Sequence, residues 1–171
     1  MIEKKILSET SIYFGEVKMP KGFEIEENEL VKNITLSNYY ENLDYPFSIT
    51  WDKLKTYITD FMKIEHNFNL VPKKSFGNFY EKNEISYPKL EIDPVNLKNS
   101  PDFVFLYGVE IDPKTCEILI YYDDNRRKGR TWNFKLEKNM FIMFPSSLLY
   151  YVKNKKNSYL NFIQTITFEY I

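Results

Sequence analysis

Residue types able to carry acid–base, metal or nucleophilic chemistry are scarce in this chain. There is one histidine, His66, and one cysteine, Cys116. A reactive thiolate needs a base or cation beside it, and only one histidine exists to serve. Cys116 therefore reads as a buried, inert thiol, and His66 as a surface or helix-end residue. No intrachain disulfide is possible. Carboxylates recur two residues apart at Glu91-x-Asp93 and Glu110-x-Asp112. On a strand each pair shares a face and starts a site for a hard cation. Such a cation wants roughly six to eight oxygens, so solvent-facing acids are the plainer reading.

Cationic chemistry is concentrated. All three arginines fall in Asp123-Asp124-Asn125-Arg126-Arg127-Lys128-Gly129-Arg130. The turn formers around them predict a hairpin tip. Arg126, Arg127, Lys128 and Arg130 could clamp an anion or meet another protein, since arginine suits planar, bidentate contacts. The plainer reading is a solvated turn in which Asp123 and Asp124 answer the cations. Tyrosine pairs at 39–40, 121–122 and 150–151 put one ring on each face of an extended segment. Exposed tyrosine with arginine is the composition of protein interfaces.

The elements that must position these residues follow from composition and periodicity. The chain has 171 residues, 43% hydrophobic and 18% aromatic, enough for a packed core in one domain over 1–171. A net charge of -1 supplies no field to draw nucleic acid or a membrane. No apolar run reaches the roughly 20 residues of a membrane helix, and the N-terminus lacks a signal-peptide core. A reducing, aqueous compartment, host cytoplasm or virion, is expected. Residues 11–19 predict a strand and 26–38 a short helix or turn-rich segment. Leu54, Tyr57, Ile58, Phe61 and Met62 form one apolar stripe, predicting a helix over 52–65 capped by Thr50 or Asp52, with Tyr57 and Phe61 on a sheet. The period then changes toward two. Strands are predicted at 75–80, 102–111, 116–123, 131–136, 140–145 and 159–170. Pro88, Pro94 and Pro101 leave 84–101 with at most a short edge strand. The prediction is a mostly β chain with one or two helices (α+β), in which 1–70 supports a core at 71–171.

The order of a helix, Phe76-Gly77-Asn78-Phe79-Tyr80, a proline-rich loop, the apolar runs 103–109 and 118–123, and Phe144-Pro145-Ser146 before Leu149-Tyr150-Tyr151-Val152 resembles the 2-oxoglutarate/Fe(II)-dependent oxygenases. The resemblance covers about residues 50–171. It implies a double-stranded β-helix, or jelly roll. It also implies a facial triad, His-x-Asp/Glu with a later histidine, holding iron for 2-oxoglutarate and oxygen. Aligned on Pro88, the first two positions hold Lys89 and Glu91. Aligned on Phe-Pro-Ser, the distal position holds Tyr150. A charged lysine donates hydrogen bonds and is no ligand, so Lys89 is expected to pair with Glu91. The last strand offers Asn161, Ile163, Gln164 and Thr165 where the family places a cation for 2-oxoglutarate.

These departures predict no catalytic residue, no metal site and no cofactor. The expected role is binding or assembly with other protein subunits, in a homo- or hetero-oligomer. The residue usage, rich in Lys, Asn, Ile, Tyr and Phe and without alanine, resembles small bacteriophage proteins and suggests a virion accessory part. The competing expectation is an active Fe(II)- and 2-oxoglutarate-dependent hydroxylase whose metal site is non-standard.

Overall fold

The structure is a computed structural model that describes residues 10–40, 49–123, 129–155 and 159–171. Its elements run β1 (Tyr13–Glu16), α1 (Glu27–Tyr39), α2 (Ile49–His66), β2 (Leu70–Tyr80), a single 3₁₀ turn at Leu97–Asn99, then β3 (Phe103–Glu110), β4 (Cys116–Asp123), β5 (Gly129–Leu136), β6 (Met140–Pro145), β7 (Leu149–Asn154) and β8 (Asn161–Tyr170). The mostly β, two-helix prediction holds. No described helix is long and apolar enough to cross a membrane.

Two antiparallel sheets face each other. The larger has the order β1-β6-β3-β8-β2 and the smaller β5-β4-β7. Strands β3, β6 and β8 are covered on both faces, so they read as continuous apolar runs. Their side chains divide by parity. Phe105, Tyr107, Phe141, Met143 and Phe168 join the core under the helices. Val104, Leu106, Ile142, Phe144 and Ile163 join Ile118, Ile120, Tyr150 and Val152 in the core between the sheets. The space enclosed by the jelly roll is therefore largely filled with side chains.

The helices close the outer face of the large sheet. Leu54, Ile58 and Met62 are fully buried. Tyr57 and Phe61 flank that stripe, partly buried against the same core. Phe61 reaches the sheet through Phe141, with ring centroids 6.0 Å apart. Thr50 has a different job from the expected cap. It lies inside α2, and its hydroxyl accepts the Glu26 N–H at 3.2 Å at the start of α1. The segment 26–38 forms a full helix. It crosses β2 at Gly77, where an added Cβ would lie 2.2 Å from Ile34 Cγ1. Only glycine lets helix and strand approach this closely.

The proline-rich loop lies along the free edge of β7. Ile85 faces Lys153 and Lys89 faces Tyr150 as isolated bridges. Ser86 N–H donates to Val152 O at 2.9 Å, and Asn154 N–H to Glu84 O at 2.8 Å. This is the short edge pairing expected there. Its consequence is positional, because it locks the residue after Pro88 against the start of β7.

Cys116 is fully buried. Burial, with help from Glu117, pushes its thiol up to about 12 from an ordinary 9.0. Below pH 9 the thiol is protonated folded or unfolded. Between 9 and about 12 the unfolded chain releases the proton and the folded chain keeps it, so stability falls as pH rises. The expected slope is roughly 1.4 kcal/mol per pH unit for this group. Buried Tyr80, Tyr107 and Tyr150 add to the loss above pH 10, since their hydroxyls are also raised by burial. Lys89 opposes it below 10.5, because burial lowers its pKa in the fold. Urea midpoints at pH 8, 9 and 10 check this, with Cys116→Ala expected to flatten the decline from 9 to 10. An equal decline in both proteins would count against the buried thiol.

Candidate functional site

Lys89, Glu91 and Tyr150 are brought together by the edge pairing. Lys89 N–H donates to Tyr150 O at 2.9 Å, and Tyr150 N–H to Lys89 O at 3.0 Å. Residues that exchange both backbone bonds stand directly opposite, with their side chains on one face. That face is the space between the sheets. Tyr150 is 1% exposed, with its ring edge-on to Phe144 at 5.1 Å.

The side chains make two charge-assisted contacts. Tyr150 Oη donates to Glu91 Oε1 at 2.8 Å. Lys89 Nζ donates to Tyr80 Oη at 2.7 Å. The expected Lys89–Glu91 ion pair does not form. Each charge is met by a tyrosine hydroxyl that reaches it from a neighbouring strand. Burial is the main cause lowering the Lys89 pKa, and the nearby Glu91 and Glu84 oppose it. Burial likewise raises Tyr80 and Tyr150, and Glu91 adds to both shifts. Both hydroxyls therefore stay protonated at neutral pH. Hydrogen bonds to charged groups contribute roughly 1.5–3 kcal/mol each.

Tyr80 is the member that sequence reasoning missed. It closes the Phe76–Tyr80 motif, but nothing local distinguishes it from the other tyrosines. Its role comes from facing the interior at the end of β2, where it is 4% exposed.

The remaining candidates lie elsewhere. His66 ends α2 with its ring beside Tyr13 and Phe61, at 4.7 and 5.9 Å, as a helix-end residue should. Asp93 accepts the Val95 N–H at 2.9 Å. Asp112 accepts the Tyr159 N–H. Arg130 is exposed on β5, across from Tyr122. Arg126, Arg127 and Lys128 lie outside the described residues. The last strand puts Asn161 into a buried knot, where its amide donates to Thr115 Oγ1 at 2.9 Å and to Asn154.

Comparison with known proteins gives no family model and no curated protein that matches the sequence. Solved structures do match. AviO1 from Streptomyces viridochromogenes Tue57 superposes with a TM-score of 0.64 at 12% identity, over 94% of this chain and 90% of that one. A Pseudomonas putida prolyl-4-hydroxylase gives 0.64 at 9% identity, over 94% and 88%. HygX from Streptomyces hygroscopicus with nickel and 2-oxoglutarate bound gives 0.59 at 11%, over 94% and 82%. The fold is that of the 2-oxoglutarate/Fe(II) oxygenases. The jelly roll anticipated from the Phe-Pro-Ser region is therefore present across nearly the whole chain.

The expectation of no cofactor needs correction. HygX, a protein of this fold, has been solved with iron bound and with nickel and 2-oxoglutarate bound. Neighbours of this fold therefore point toward these groups. The side chains between the sheets here are a poor match to them. Lys89, Glu91 and Tyr150 supply one carboxylate, one ammonium and one protonated phenol. A divalent iron of the facial-triad kind wants two neutral imidazoles with its carboxylate. Among the described residues no group of three or more His, Cys, Asp or Glu is placed to hold a metal.

Proposed function

We propose that this chain uses the oxygenase fold to bind a partner or ligand rather than to oxidise a substrate. The observation that carries this reading is the Lys89–Tyr80 and Tyr150–Glu91 pair of contacts. The carboxylate that would serve iron is engaged by Tyr150, and the residue opposite it is a cation. An ammonium beside an incoming divalent ion is repelled by it. Lys89, Glu91 and Tyr150 thus act as interior supports that hold the proline-rich loop to β7.

Assembly with other protein subunits is the binding role that the surface favours. Strand β5 is a sheet edge with Arg130 and Trp132 exposed, and unpaired edges are natural docking sites. Tyr121 of β4 and Tyr151 of β7 bring their rings together at a tilt, with centroids 5.2 Å apart. Residue usage favours a virion accessory part among such roles.

The test is turnover. Purified protein supplied with Fe(II), ascorbate and 2-oxoglutarate is expected to form no succinate above the protein-free control. Succinate released in step with 2-oxoglutarate consumption would defeat the proposal in favour of an oxygenase with a non-standard metal site.

A further inference from the structure

Beside Glu91 lies a polar cleft of about 260 Å³, between β2 and the loop that follows Pro88. That is below the roughly 300–1,000 Å³ of a drug-sized pocket and suits a molecule as small as an amino acid. Lys73 and Lys74 line one side, and Glu91 and Asp93 the other.

The charges in this cleft are unevenly satisfied. Lys73 Nζ donates to Asn99 O at 2.6 Å and lies 3.6 Å from Glu169. Asp93 accepts the Val95 N–H. Lys74 Nζ has no hydrogen-bond or ion-pair partner among the described residues. Glu91 uses Oε1 for Tyr150, leaving Oε2 open. Thr167 is 2% exposed and lines the same cleft. Its Oγ1 accepts the Lys74 N–H at 3.2 Å, leaving its hydroxyl proton to donate. The cleft therefore offers an ammonium and a hydroxyl donor on one wall and a carboxylate oxygen on the other.

We propose that this cleft binds a free α-amino acid, its carboxylate on Lys74 and Thr167 and its ammonium on Glu91. A ligand of one sign would satisfy one wall and be repelled by the other, whereas a zwitterion satisfies both. The inference deepens the binding role above and rests on it.

Isothermal titration calorimetry with the twenty protein amino acids tests it. At least one is expected to bind. Its N-acetyl and carboxamide derivatives, each lacking one charge, are expected to bind at least roughly tenfold more weakly. Lys74→Met is expected to weaken binding by a similar factor, while Lys135→Met, on exposed β5, leaves it unchanged. Because Lys74 is exposed, its variant should fold normally. Absence of binding by every amino acid, or binding that survives Lys74→Met, would overturn the assignment. Succinate assays on the same preparation separate the two claims. Turnover with amino-acid binding intact defeats the non-oxidative reading alone, and no turnover with no binding defeats the cleft alone.

Discussion

Replacing Lys89 and Tyr150 together (Lys89→His/Tyr150→His) is expected to create a divalent-metal site from positions that now offer an ammonium and a phenol beside Glu91. The two residues stand opposite each other and exchange both backbone bonds. Two imidazoles there would project into the same interior space as the Glu91 carboxylate, which the Tyr150 substitution releases from its hydrogen bond. Two imidazoles and a carboxylate on one face make the donor set that suits iron or nickel. With Ni(II) at about one hundred times its Kd, binding to the folded state adds about 2.7 kcal/mol of stability. Thermal unfolding with and without Ni(II) reads this directly. Each single variant should show a much smaller shift, since one imidazole leaves the set incomplete. Equal Ni(II) effects on the natural and double-variant proteins would contradict the placement of these positions.

Gly108→Ala is the substitution expected to damage the fold most. Gly108 sits where the pairing of β3 with β8 shifts register, and the turn before β6 folds over it. A Cβ there would lie 2.3 Å from the backbone oxygen of Glu137 and 3.1 Å from Ile111 Cγ1. That oxygen cannot swing aside cheaply. Asn139 N–H in the same turn donates to Gly108 O at 2.8 Å, and Val17 N–H donates to Asn139 O at 2.9 Å. The Asn139 side chain also donates to Val17 O at 2.9 Å and accepts from Tyr107 Oη at 3.0 Å. One methyl would strain a knot joining β1, β3 and β6. A loss of roughly 3 kcal/mol or more is expected in urea unfolding. Gly15→Ala is the contrast, because its Cβ would meet only the Phe141 ring at 3.6 Å. It should stay within about 0.5 kcal/mol of the natural protein.

Much of this architecture is legible from residue patterns, for physical reasons that particular segments show. The stripe Leu54, Ile58, Met62 marks α2 because a helix laid on a sheet must bury one face. The convergence of positions 89, 91 and 150 was readable only through resemblance, since no local rule links residues that far apart. What those residues do once together depends on a third strand. Tyr80 reaches Lys89 only because β2 ends there. The start of β2 was hidden by Pro72, which reads as a stop. The chain tolerates it because β2 is an edge strand with an irregularity between Pro72 and Lys74. Thr50 had the residue type of a cap, and tertiary contact gave its hydroxyl to the N–H of Glu26 instead.

The proposed binding role rests on two contacts, Lys89 with Tyr80 and Tyr150 with Glu91, that together leave no facial-triad donor set. Crystals soaked in Fe(II) under anaerobic conditions, with data collected at the iron absorption edge, test it most directly. The expected map shows Tyr150 Oη on Glu91, Lys89 Nζ on Tyr80 Oη, and no anomalous peak at the cluster. An anomalous peak within bonding distance of the Glu91 carboxylate, with Tyr150 turned away from it, would contradict the account.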